Sequence, residues 1–211
     1  MSELDPDNGP TWAALGHCYL LTDDIHKAFN AYQHSLYCLD DIRDPQLWYG
    51  IGILYEKFES YDHAISALIA VLKMSPNFQQ KSELLNKLGV ILAKTNQLDQ
   101  AVRYLQNSIL ASNFSMKRRV DTLLKIGILF ELQFDFVQAQ RSYEAALTHN
   151  EKYHRIYQHI AWCHFQQGNI IEAMEYIGKA DMRARDNPDN FYIKARCYLI
   201  MQKYREAFDC F

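Results

Sequence analysis

Six alanines set the period of this chain. Ala28, Ala64, Ala101, Ala139, Ala173 and Ala207 follow one another at 36, 37, 38, 34 and 34 residues. A second small residue precedes each of them: Gly16, Gly52, Gly89, Gly127, Ala161 and Ala195. A period of this length holds one pair of antiparallel helices, and stacked pairs bury a continuous core that no single pair could bury alone. The small residues are expected to face each other across the pair so that its helices approach closely, with large apolar residues filling the gaps between neighbours. Glycine inside a helix costs about 1 kcal/mol against alanine, so four such glycines point to a packing reason. Gly52→Leu should be far more damaging than replacement of an exposed glutamate.

The residue types around these positions resemble the tetratricopeptide repeat. Trp12-Ala-Ala-Leu15-Gly16-His-Cys-Tyr19 matches that repeat's opening, and Ala28 and Tyr32 follow where it places a small and then an aromatic residue. The later copies read Trp48, Ile51, Gly52, Tyr55, Ala64, Leu68 and Pro76; Leu85, Leu88, Gly89, Leu92, Ala101 and Leu105; Leu123, Ile126, Gly127, Phe130, Ala139 and Tyr143. Tyr157, Ile160, Ala161, His164, Ala173 and Ile177 form the fifth, and Phe191, Ala195, Tyr198, Ala207 and Phe211 the sixth. The resemblance implies an all-α fold, a right-handed solenoid forming a single array over residues 1–211. Its repeats fall at about 9–44, 45–81, 82–119, 120–153, 154–187 and a shortened 188–211.

Polar turns separate the two helices of a unit: Thr22-Asp23-Asp24, Glu59-Ser60, Thr95-Asn96-Gln97 and Gln167-Gly168-Asn169. Asp and Asn in them can cap the next helix. Leu4-Asp5-Pro6-Asp7 reads as the close of a preceding helix over residues 1–8, and Phe211 falls midway along the sixth second helix. Both ends are therefore expected to be cut from a longer protein.

Composition removes other classes. Of 211 residues, 49% are hydrophobic and 22% charged, too apolar for disorder, and eight Gly with five Pro are too few for a turn-rich β fold. A formal net charge of −3 gives no footprint for direct nucleic-acid binding. The run Lys117-Arg118-Arg119 reads as a solvated segment between helices. The acidic start MSELDPDNGP has no signal-peptide pattern, no stretch approaches a membrane span, and five cysteines without a C-x-x-C pair fit a reducing compartment.

Two stretches go further, Trp12 to Leu39 and Asp44 to Phe78. The words LGHCYL, DD, AYQ, LW-x-GIGILY and P-x-F stand in the order found in the repeat domain of the fungal general transcriptional corepressor, which partners a Tup-type WD40 repressor. This chain closely resembles that family over about residues 9–110. The resemblance implies a nuclear adaptor that holds the helical N-terminal segment of the WD40 corepressor and also touches DNA-binding repressors, without itself contacting nucleic acid, membrane or a small-molecule substrate. An upstream set of repeats, a polyglutamine-rich tail and a complete last repeat, which the family has, are not in this sequence. A looser likeness connects it to the repeat region of histone H3 lysine-27 demethylases, and a generic scaffold sharing only the repeat is a further alternative.

In the family's superhelix the first helix of each unit lines the concave face. The register places Ala13, His17, Leu20, Tyr49, Ile53, Asn86, Val90, Leu124, Ile128, Gln158, Trp162, Tyr192 and Arg196 on it, with Leu21, Phe165 and Leu199 continuing the lining. Such an apolar and aromatic strip suits the apolar face of a partner helix. The Lys/Asn/Arg clamp of chaperone-tail adaptors is replaced by Ala13, His17, Gly50, Glu83 and Lys87.

Enzymatic chemistry finds no constellation. His159 and Cys163 have metal-ligand spacing, but Cys163 shares its repeat position with Cys18 and Cys197, and with Leu54, Ile91 and Leu129 in the other copies. That is a packing position, where cysteine acts as a small hydrophobe. No orienting partner or oxyanion donor completes a Cys–His nucleophile. Asp23-Asp24 and Asp40-Asp41 are adjacent turn residues, Asn113-Phe114-Ser115 is a sequon an intracellular chain would not use, and no phosphate-binding glycine loop occurs. The expectation is a non-enzyme with no catalytic residue, metal or cofactor.

Overall fold

Each periodic alanine disappears into its own helix pair. Ala28, Ala64, Ala101, Ala139 and Ala173 expose no surface, and Ala207 is buried too. The computed structural model describes residues 8–39, 43–111, 116–184 and 187–210. The tail read at Leu4 to Asp7, the Asp40-Asp41 pair, the Asn113-Phe114-Ser115 sequon and Phe211 lie outside the described residues.

The described residues form twelve helices in two compact units, 1–113 and 114–211. The first unit carries α1 (Gly9–Leu21), α2 (Ile25–Cys38), α3 (Pro45–Lys57), α4 (Tyr61–Met74), α5 (Lys81–Lys94) and α6 (Leu98–Leu110). The second carries α7 (Met116–Leu132), α8 (Phe136–Leu147), α9 (His154–Gln166), α10 (Ile170–Asp181), α11 (Pro188–Ile200) and α12 (Tyr204–Phe208). Consecutive odd and even helices pair, and within each unit the pairs stack.

A large side chain, and not only the small residue expected, lies against the glycine of each first helix. A Cβ on Gly16 would fall 2.6 Å from the Tyr32 ring, one on Gly52 2.7 Å from Leu68, one on Gly89 2.6 Å from Leu105 and one on Gly127 2.4 Å from Tyr143. The nearest atoms to each of these glycines thus belong to the bulky side chain one turn beyond the alanine, and at Gly89 the carbonyl of Ala101 itself follows at 3.1 Å. Small-against-large packing fills the space that small-against-small would leave void.

The turns inside the pairs share one geometry. The amides of Asp24, Ser60, Gln97, Asp135, Asn169 and Lys203 donate to the carbonyls of Tyr19, Tyr55, Leu92, Phe130, His164 and Tyr198, each at 2.9 Å. This bond closes a helix in which the preceding residue is left-handed. Asp23, Glu59, Asn96, Phe134 and Gln202 occupy that residue with φ between 57° and 60°, and Gly168 with φ 83°. Asp24 and Asp135 also cap α2 and α8 with their side chains. Asn96 instead serves as the left-handed residue, and Asn169 and Ser60 cap without a side-chain bond.

Lys117-Arg118-Arg119 lies in the first turn of α7, not between helices. That helix opens one turn earlier than the repeat boundary suggested, and it accepts the basic residues near its N-terminus because Lys117 and Arg118 project into water. Cys163 and Cys197 are buried in the packing position assigned to them. Cys18 is exposed, since no described helix packs against that face of α1.

Candidate partner-binding face

In the first unit much of the expected lining is drawn into packing. Ala13 sits in the core shared by α1, α2 and α3, with Leu20 packed against it. Tyr49 is 6% exposed, its ring 5.3 Å from that of Phe78, and Ile53 packs against the same cluster. Asn86 and Val90 on α5 are half-buried. His17 is held by the Tyr32 hydroxyl at 2.7 Å, and burial lowers its pKa from the usual value against the opposing pull of Asp44. Lys87 pairs with Glu56 at 3.0 Å, pinning α5 to α3.

The second unit brings four expected residues together. Trp162 stacks on Phe165 with ring centroids 5.6 Å apart, and Tyr192 lies 6.4 Å from Trp162. The Arg196 guanidinium stands 4.8 Å from the Phe165 ring centre, 5.4 Å from Trp162 and 5.6 Å from Tyr192. Its Nη1 donates to the Tyr192 hydroxyl at 3.0 Å. Ile128 and Leu199 are exposed, and so is Leu21 in the first unit, whereas Leu124 and Phe165 are buried. Gln158 is buried as well, and its amide donates to Asn190 Oδ1 at 2.5 Å. Asn190 in turn donates to Asp181, which pairs with Lys194.

A cavity of about 250 Å³ opens beside these aromatics, lined by Glu131, Arg155, Gln158, His159, Trp162, Asp189, Tyr192 and Ile193. Glu131, Arg155, His159 and Asp189 were not foreseen. The register does carry a signal for three of them: Arg155 and Asp189 stand three residues before Gln158 and Tyr192, and Glu131 three after Ile128, on the same helix faces as those expected residues. Glu131 accepts from the Tyr143 hydroxyl at 2.7 Å, and its same oxygen stands 3.0 Å from His159 Nδ1 and 3.9 Å from the Cys163 thiol. Burial, reinforced by Glu131, pushes the pKa of Tyr143 and of Cys163 well up, so both remain protonated donors. His159 and Cys163 therefore serve a carboxylate. Among the described residues no group of three or more His, Cys, Asp or Glu is arranged to hold a metal ion, and no helix is long and apolar enough to cross a membrane.

Residues 45–78 match the model of the tetratricopeptide repeat. The crystal structure of YrrB, a TPR protein with an unusual peptide-binding site, superposes with a TM-score of 0.75 at 17% identity, covering 90% of this chain and 93% of that one. The fold is the tetratricopeptide-repeat solenoid. Residues 133–211 of this tetratricopeptide chain also match the model of subunit 3 of the anaphase-promoting complex, or cyclosome. The general transcriptional corepressor trfA of Dictyostelium discoideum is 36% identical over 212 residues, 99% of this chain and 15% of that protein. The general transcriptional corepressor ssn6 of Schizosaccharomyces pombe is 50% identical over 82 residues, 39% of this chain and 7% of that protein. The chain thus spans less than a fifth of the length of either corepressor. It is a tetratricopeptide-repeat scaffold for protein–protein contact, related to several families of such repeats.

Proposed function

We propose that this tetratricopeptide chain is a nuclear adaptor of transcriptional corepression. It bridges a WD40 corepressor, held by its helical N-terminal segment, to DNA-bound regulators. The single observation that carries the reading is the alignment with the Dictyostelium corepressor along nearly the whole chain, at an identity well above that of the fold-only likeness. The set named from the register supplies contact residues in each unit: His17, Leu20, Ile53, Asn86 and Val90 are partly exposed in the first, and Ile128, Trp162, Tyr192 and Arg196 are exposed or partly so in the second.

Calorimetry with the helical N-terminal segment of a Tup-type WD40 protein tests this. The parent should bind, and a variant with Val90→Ala and Ile128→Ala should bind about tenfold or more weakly while melting near the parent temperature. Tyr49 is left intact because its burial would turn a binding test into a folding test. A folded parent that ignores the segment sinks the corepressor reading. The match of residues 133–211 to the cyclosome subunit favours a second reading, a structural subunit of a large assembly. Co-purification of the tagged chain with such an assembly, and not with a WD40 corepressor, would select it.

A further inference from the structure

Arg196 is the only charged residue at the ninth repeat position, where the other copies carry His17, Ile53, Val90, Ile128 and Trp162. A guanidinium stacked on aromatic faces keeps its edge N–H groups directed outward, in the fork that matches a carboxylate. Around Arg196 three rings lie within cation–π reach, those of Phe165, Trp162 and Tyr192. One N–H is used, by the Tyr192 hydroxyl. No carboxylate among the described residues pairs with Arg196 or with Arg155 across the cavity.

The acids lining that cavity do not fill the role. Glu131 is engaged by Tyr143 and His159. Asp189 is exposed in the first turn of α11, where the helix dipole favours a negative charge. Beyond the N–H given to Tyr192, the guanidinium therefore keeps donors with no carboxylate partner among the described residues, next to a cavity of about 250 Å³ that Trp162 and Tyr192 help to line.

We infer that this face of the second unit is a receptor for an acidic side chain on a partner peptide. The Asp or Glu carboxylate is taken by the outward edge of Arg196, and an adjoining apolar or aromatic side chain of the same peptide enters the cavity against Trp162 and Tyr192. The inference deepens the adaptor reading by naming the chemistry of one contact, and it stands on the geometry whichever protein supplies the peptide. Contact with the three rings and the bond to the Tyr192 hydroxyl hold the guanidinium in place before the partner arrives, which lowers the ordering cost of binding.

The test selects a displayed library of short random peptides on the intact chain. Enriched peptides should carry Asp or Glu beside an aromatic or aliphatic residue. A synthetic copy of one should bind Arg196→Gln about tenfold or more weakly than the parent. Arg196→Lys, which keeps the charge and loses the planar fork, should fall between them. The peptide with its acid changed to the amide should bind parent and Arg196→Gln alike. Circular dichroism melts of both variants separate lost contact from lost fold. Enriched peptides without acids, acidic peptides indifferent to Arg196→Gln, or a folded chain that enriches nothing would each overturn the proposal. Failure of the WD40 segment alone bears on the adaptor reading and leaves this selection standing.

Discussion

The hydroxyl of Tyr32 lies 2.7 Å from Nδ1 of His17, and both groups reach that position because residue 50 is glycine. A Cβ at Gly50 would fall 2.2 Å from the Tyr32 hydroxyl and 2.6 Å from His17 Cε1. The Tyr32 ring meanwhile rests on Gly16. One aromatic side chain of α2 is thus accommodated by a glycine on α1 and another on α3, and it joins two consecutive pairs.

Gly50→Ala should therefore destabilise the chain by about 1–3 kcal/mol, the usual range for overpacking a filled core. Gly178 lies in the interior of α10 with nothing within 4 Å of where its Cβ would be. Gly178→Ala should stabilise by up to about 1 kcal/mol through helix propensity alone. Urea unfolding of the two variants checks both signs, and equal shifts would contradict the packing argument.

Acid should weaken the same contact. The folded chain holds the His17 pKa below its ordinary 6.5, chiefly by burial, while Asp44 opposes. The unfolded chain then binds the proton more readily, so the contribution of His17 is complete above that ordinary value. It is lost as pH falls from there toward the lower folded value. Stability measured from about pH 7 to about pH 5 should decline less steeply in His17→Gln than in the parent. An unchanged slope would remove His17 from the account.

The left-handed turn residues offer a backbone test. Glu59 is exposed with φ 57°, a conformation that costs a non-glycine residue on the order of 1 kcal/mol. Glu59→Gly should raise the melting temperature by a few degrees. Gly168→Ala should lower it, although the space around Gly168 is open, because the strain lies in φ and not in a clash.

Thiol labelling reads the cysteine positions. Burial pushes the Cys197 thiol up to about 11, with Arg196 opposing, and pushes Cys163 up as well. In the native chain at about pH 8, Cys18 should react quickly with a disulfide reagent, and Cys163 and Cys197 only after denaturant is added. Mass spectrometry of the labelled peptides assigns each site, and rapid native labelling of Cys197 would contradict its burial.

The helix pairs and the period that sets them were legible because the pattern is local: a small residue, a turn and a buried alanine recur within each unit. The face was harder to read. Ala13, Tyr49, Leu124 and Gln158 belong to the expected lining, yet neighbouring helices cover them. The true neighbour of each glycine was also hidden, since Tyr32, Leu68, Leu105 and Tyr143 differ in shape while the glycine does not.

From order along the chain alone followed the helix pairs and the apolar positions between them, since helix formation and pairing depend on residues within one period. Tertiary structure decided which ring meets which charge. Trp162 and Tyr192 stand 30 residues apart, and Arg196 comes four later. Only the packing of α11 beside α9 sets that guanidinium over the Trp162 and Phe165 rings. How much of each side chain water still reaches depends on helices from other repeats, which no single period contains.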